Sequence, residues 1–136
     1  MKAYIAIKYH ADHSNRERIE GISAALERQG YETVCITRDL EKWGEVQFDS
    51  GTLMQRTFDE IDTSNVVIVD LTEKGVGVGI EAGYAFAKHI PVVTIARKGS
   101  DISETLRGIS QEILLYDQYD DLAYLFAETR FIPLPP

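Results

Sequence analysis

Apolar runs that alternate with helical patterns predict an α/β three-layer sandwich built on a five-stranded, mostly parallel sheet. Two further observations carry this reading. The run Val66-Val67-Ile68-Val69 is β-branched and apolar without alternation, as a central parallel strand covered on both faces must be. A length of 136 residues gives one hydrophobic core and not two, so residues 1–136 are read as a single domain of flavodoxin-like architecture.

The elements follow in order. Tyr4 to Ile7 reads as the first strand. Ser14, with Glu17 three residues on, reads as the capping box of a helix whose stripe is Ile19, Ile22 and Leu26, and Gly30 ends it. Tyr31 to Ile36 reads as strand two, and residues 37–50 as a long polar loop holding Trp43 and Phe48, suited to stack on a ligand or pack in the core. Met54, Phe58 and Ile61 mark a helix that leads to strand three, Val66 to Asp70. A Gly-rich turn, Gly75 to Gly79, opens a helix through Ala82, Ala85 and Phe86. Pro91 to Ala96 and Ile113 to Tyr116 are strands four and five, and Leu122, Leu125 and Phe126 mark a last helix. The Pro-rich tail from Phe131 is neither helix nor inner strand.

Charge and composition exclude several functions. A net charge of −8 argues against coating nucleic acid or an anionic membrane, because both need a basic face. Small anions remain compatible with a few local cations and backbone N–H groups. No apolar stretch reaches the ~18 residues of a membrane span. The first residues enter a strand directly with no signal-peptide layout, so a cytoplasmic location is expected. The single cysteine, Cys35, lies in an apolar run and reads as a buried thiol. The three histidines lack metal-ligand spacing and no Cys/His cluster is present, so no metal site is expected.

Parallel sheets of this kind bind ligands at the carboxyl ends of their strands, where strand order reverses. Lys8 and His10 follow strand one, Asp70 to Gly79 follow strand three, and Ser103 follows strand four. Gly77-x-Gly79-x-x-Ala82 formally fits a dinucleotide fingerprint, but the acid expected ~20 residues later is missing. The glycines Gly75, Gly77 and Gly79 fit close approach of backbone to a ligand, or tight packing of a helix on the sheet. Glu81, placed in the first helical turn, is either an acid complementing the helix dipole or a carboxylate kept ionised as a nucleophile. Asp70 closes its strand at the ligand edge, while Asp59 and Asp62 sit near a helix end. Ser103 either caps a helical turn or holds a phosphate.

The stretch from Asp70 through Gly75, Gly77, Gly79, Glu81 and Ala82, together with Tyr4 in strand one and Pro91 before strand four, resembles the nucleoside 2-deoxyribosyltransferase family. That family includes the 2′-deoxynucleoside 5′-phosphate N-hydrolases, and the resemblance spans roughly residues 3 to 116. It implies Glu81 as the nucleophile at C1′ of the sugar, Tyr4 as the hydroxyl orienting it, and Ser103 as a phosphate contact. It also implies a small-molecule nucleotide or nucleoside as partner, and a homodimer. The apolar tail residues Phe131, Ile132 and Leu134 point to a dimer independently. Three positions depart from the family pattern. Thr57 stands where an aspartate serves the departing base, with Asp59 two residues on. Gly75 stands where the hydrolases carry a serine. Lys8 and His10 stand in the strand-one loop where the hydrolases carry Ser and Arg. The expected activity is hydrolysis, or transfer, of the N-glycosidic bond of deoxynucleoside monophosphates, with Asp59 or Asp70 helping the base depart. The rivals are transfer between unphosphorylated nucleosides and a silent nucleotide-binding module.

Overall fold

Five strands hydrogen-bond in the order β2-β1-β3-β4-β5, and every neighbouring pair is parallel. They are β1 (Lys2–Ala6), β2 (Glu32–Val34), β3 (Val66–Asp70), β4 (Val92–Arg97) and β5 (Glu112–Tyr116). This computed structural model describes residues 1–133 and 135. The helices are α1 (Arg16–Glu27), α2 (Ile36–Asp39), α3 (Ser50–Asp62), α4 (Val76–Ala87), α5 (Glu104–Ile109) and α6 (Tyr119–Glu128). The chain winds outward from β1 to β2 and then returns past β1 to β3. Strand order therefore reverses above β1 and β3, and a crevice opens there.

Side chains of a strand alternate between faces, and that alternation decides which residues can meet. Ala3, Ile5, Val66, Ile68 and Ile95 face Ile19, Ile22 and Leu26 of α1 and Leu122 and Phe126 of α6. Tyr4, Ala6, Val67 and Val69 face Ile61 of α3, Val78, Ala82 and Ala85 of α4, and Leu106 of α5. Tyr4 is thus committed to the α3–α4 layer. Asp70, in phase with Val66 and Ile68, is committed to the opposite one.

Several local expectations are corrected. Strand two ends at Val34, because Asp39 accepts a hydrogen bond from the Cys35 N–H at 2.8 Å and turns the chain into α2. The expected loop 37–50 therefore holds most of α2, a 3₁₀ turn at Lys42–Gly44 and the first residue of α3. Asn15, not Ser14, is the N-cap of α1, and no capping box forms there. The Asn15 amide instead donates to the Lys8 carbonyl at 2.8 Å, tying the β1–α1 loop together. A capping box does form at α6, between Gln118 and Asp121. Helix α4 starts at Val76 with Gly75 as N-cap, so Gly77 and Gly79 are helical residues and not turn residues. Glu81 accordingly lies in the second turn. Phe86 is exposed, and the inner stripe of α4 is Val78, Ala82 and Ala85. Trp43 packs under the Arg16 guanidinium at 4.6 Å and beside His13, while Phe48 lies near Arg56; neither lines the crevice.

Phe131 packs on Tyr31 and Phe126 of its own chain, so it does not need a second subunit to cover it. Ile132 stays exposed. Leu134, the third residue of the apolar tail, lies outside the described residues. No helix among the described residues is long and apolar enough to cross a membrane.

Candidate active site

A cavity of about 390 Å³ occupies the crevice at the strand ends. Its floor is Tyr4 and Ile5 of β1, and one side is the α4 N-terminus with Gly75, Gly77, Val78 and Glu81. The other side is Cys35 to Thr37 after β2, with Leu53, Met54 and Thr57 of α3. Lys8, Tyr9 and Glu41 complete the rim. The cavity therefore has an apolar wall, of a kind that suits a flat ring, facing a wall of helix N-terminal backbone.

At the floor the Tyr4 hydroxyl donates to Glu81 Oε1 at 2.6 Å. Tyr4 is 1% exposed, and burial together with the Glu81 carboxylate holds its phenol well above the usual range, so it stays a donor. Burial pushes the Glu81 carboxyl up to about 7, and the Tyr4 hydrogen bond opposes that rise. The expectation of a carboxylate with a depressed pKa at the helix terminus is overturned. Glu81 is one turn too far along α4 to feel the dipole strongly, and desolvation wins. Near neutral pH the group exists both as an anion that can attack carbon and as an acid.

The open end of α4 is not capped by any side chain, so its first-turn N–H groups face the cavity unpaired by a cap. Lys8 stands beside them. A Cβ on Gly75 would meet Lys8 Cγ at 3.4 Å, an ordinary contact, which shows how closely the lysine stem lies against the start of α4. Lys8 forms no ion pair among the described residues, and the combination of free ammonium and open helix terminus suits an anion.

The remaining sequence candidates do not converge here. Asp59 is two residues beyond Thr57, about 200° around α3, and its exposed carboxylate accepts from Gln55 at 3.0 Å. Asp70 is 1% exposed on the other face of the sheet, bonded to Thr72 and 3.8 Å from Arg18. His10 pairs with Glu73 at 3.1 Å, also beside Arg18 and away from the cavity. Ser103 caps α5 by accepting from the Leu106 N–H at 3.2 Å, and it does not line the cavity. Gly79 also lies outside it. The sequence reading missed Cys35 to Thr37, which the strand-end rule could have found after β2 had its end been placed correctly. It also missed Glu41 and Leu53, whereas Tyr9, which follows strand one beside Lys8, is at the rim as the strand-end rule places it. The Cys35 thiol is buried, and burial pushes it to about 12, so it is a wall and not a nucleophile. Among the described residues no three His, Cys, Asp or Glu side chains gather to hold a metal ion.

Comparison with known proteins yields no matching family profile. A protein of Thermofilum pendens named "Putative 2′-deoxynucleoside 5′-phosphate N-hydrolase 1" is 24% identical over 128 residues, covering 90% of this chain and 87% of that one. The fold matches a 2-deoxyribosyltransferase of Bacillus psychrosaccharolyticus with a TM-score of 0.75 at 15% identity, covering 99% of this chain and 100% of that one. It also matches a CMP N-glycosidase of Clostridium botulinum with a TM-score of 0.67 at 18% identity, covering 95% and 100% of the two chains.

Proposed function

We propose, from the chain's membership of the nucleoside 2-deoxyribosyltransferase and deoxynucleoside 5′-phosphate N-hydrolase family, that it cleaves the N-glycosidic bond of 2′-deoxynucleoside 5′-monophosphates. The observation that carries this reading is the Tyr4–Glu81 hydrogen bond of 2.6 Å at the floor of the cavity. A Glu81 oxygen forms a bond to C1′ as the C1′–N bond breaks, through an oxocarbenium-like transition state, and the bonding pair leaves with the base, which takes up a proton. Water then adds to C1′, the ester to Glu81 breaks, and the sugar phosphate departs. A second base in place of water gives transfer, the secondary activity. Tyr4 positions the carboxylate oxygen that does not attack and steadies the charge on Glu81. Lys8 and the first-turn N–H groups around Gly75 and Gly77 hold the 5′-phosphate. No metal or organic cofactor enters the scheme.

A cavity that binds nucleotides without reacting is the second reading. It is favoured by Thr57, whose hydroxyl turns back to the Leu53 carbonyl at 2.8 Å and offers no proton to a leaving base. Incubating the purified protein with the common deoxynucleosides and their 5′-monophosphates, and resolving free base by chromatography, separates the readings. Release from monophosphates, abolished in Glu81→Gln, supports the hydrolase. A 2-fluoro-substituted substrate should leave an ester on the Glu81 peptide, visible as a mass increase. Preferential reaction of nucleosides supports the transferase, and tight binding with no release supports the silent module.

A further inference from the structure

The proposed scheme lacks a group that gives the departing base its proton, and the residues expected to do so face elsewhere. Asp59 lies on the outer side of α3, Asp70 lies across the sheet, and Thr57 is bonded to its own helix. The only carboxyl groups among the described residues that line the cavity are Glu81 and Glu41. Given the N-glycosidase reading on which this rests, we infer that Glu41 is the acid that protonates the leaving base.

The backbone geometry supports that role. The Glu41 N–H donates to the Ile36 carbonyl at 2.9 Å, and its own carbonyl accepts from Gly44 at 3.0 Å and Val46 at 3.0 Å. These three bonds fix the residue in a tight turn after α2. Its side chain has no hydrogen-bond or ion-pair partner among the described residues, so it is available to a ligand. Glu41 lines the cavity together with Ile36, to whose carbonyl its N–H is bonded, and with Leu53 and Met54, apolar residues suited to the face of a flat base. Glu81 enters from α4, beside Gly75 and Gly77. A nucleotide with its phosphate at Lys8 and its base against the apolar wall thus has one carboxyl on the sugar side and one on the base side. Partial burial raises the Glu41 pKa, which favours the protonated form, and His13 acts in the opposite direction.

The step balances as follows. The Glu41 carboxyl proton moves to a ring nitrogen or carbonyl oxygen of the base as the C1′–N bond breaks and the C1′–Oε bond to Glu81 forms. In the second step the Glu41 carboxylate takes a proton from the attacking water as that water bonds to C1′ and the ester to Glu81 breaks. Both residues end in their starting states.

The test is leaving-group dependence in Glu41→Gln. The natural nucleotide that the wild type cleaves fastest is compared with its activated counterpart, a 7-methylated purine or a 5-nitro pyrimidine, which departs without being protonated. The variant should lose on the order of 10²–10⁴-fold in kcat/KM on the natural substrate, as expected for removal of a general acid. On the activated substrate it should keep kcat/KM, which reports cleavage of the C1′–N bond, within about 3-fold, since little protonation remains to be supplied, while kcat falls because no carboxylate takes the proton of the attacking water. Glu41→Asp should fall between the two on the natural substrate. Equal losses of kcat/KM on both substrates, or no loss on either, overturn the assignment of Glu41 and leave the proposed activity standing. A wild type that releases no base from any of them removes the proposed activity, and the assignment with it. Glu41 is only half-buried and unpartnered, so its replacement leaves the core untouched.

Discussion

Replacing Glu81 with Gln should make the protein more stable, by an amount that grows from about pH 4.5 and reaches its full value above about pH 7. A carboxyl that titrates near 4.5 when unfolded and at about 7 when folded retains its proton in the folded state over that interval, while the unfolded chain has released it. Stability is therefore full below pH 4.5, falls as pH rises, and levels off above about 7. The full penalty for ionising Glu81 in place is at most about 3.5 kcal/mol, at 1.4 kcal/mol per tenfold change in proton affinity. Glu81 keeps part of its surface on the cavity, which lowers the expected cost to about 1–3 kcal/mol. Glutamine has nearly the same shape, still accepts from the Tyr4 hydroxyl through Oε1, and carries no charge to desolvate. For a domain of this size the gain corresponds to a rise in Tm of roughly 3–10 °C. Paired thermal melts of wild type and variant from pH 4.5 to 8 test this, because every other titrating group cancels in the difference. A Tm gap that does not change with pH, or a variant less stable than wild type at pH 8, refutes the burial argument.

Three further outcomes follow from the same geometry. Tyr4→Phe removes the 2.6 Å donor and leaves the nucleophile, so kcat should fall about 10–1,000-fold while the fold is retained, as steady-state assays with melting controls will show. Lys8→Ala should raise KM for a 5′-monophosphate by about 10-fold or more and leave KM for the matching nucleoside within about 2-fold, the cost of one charge-assisted contact. Asp59→Ala should leave base release within about 2-fold of wild type, because an exposed acid on the far side of α3 has no path to the cavity; a large loss in that assay would mean that α3 presents a different face to substrate.

The layer plan was legible because its causes are local and repeated. The uninterrupted run Val66 to Val69 marks a strand covered on both faces, and Ile19, Ile22 and Leu26 mark one face of α1. The Tyr4–Glu81 pair was legible only through the family resemblance, since 77 residues separate the partners and no spacing rule connects them. What failed was phase. Starting α4 at Val76, and not after Gly79, moves Glu81 from the first turn to the second and reverses the expected direction of its pKa. Alternation along β3 sends Asp70 away from the site although it closes the right strand at the right edge. His10 and Ser103 likewise sit at strand ends, but each already has a local partner, Glu73 and the Leu106 N–H. Position along the chain places a residue near a site; only the three-dimensional phase decides whether its side chain enters.

In the proposed reaction the two cavity carboxyl groups together set the pH dependence. Glu81 must be ionised to attack C1′, and it titrates at about 7. Glu41 must be protonated to release the base, and burial raises its pKa above the ordinary glutamate value. The wild-type kcat/KM should therefore trace a bell whose limbs report the titrations of Glu81 and Glu41. In Glu41→Gln, assayed on an activated substrate, the alkaline decline should vanish. The rate should instead follow Glu81 alone, rising through about pH 7 to a plateau. Adding Tyr4→Phe should move that rise to higher pH, because the hydrogen bond that favours the carboxylate is gone. A wild-type profile flat from pH 5 to 8 would mean that Glu81 is ionised throughout, and desolvation at the floor of the cavity would then not govern its chemistry.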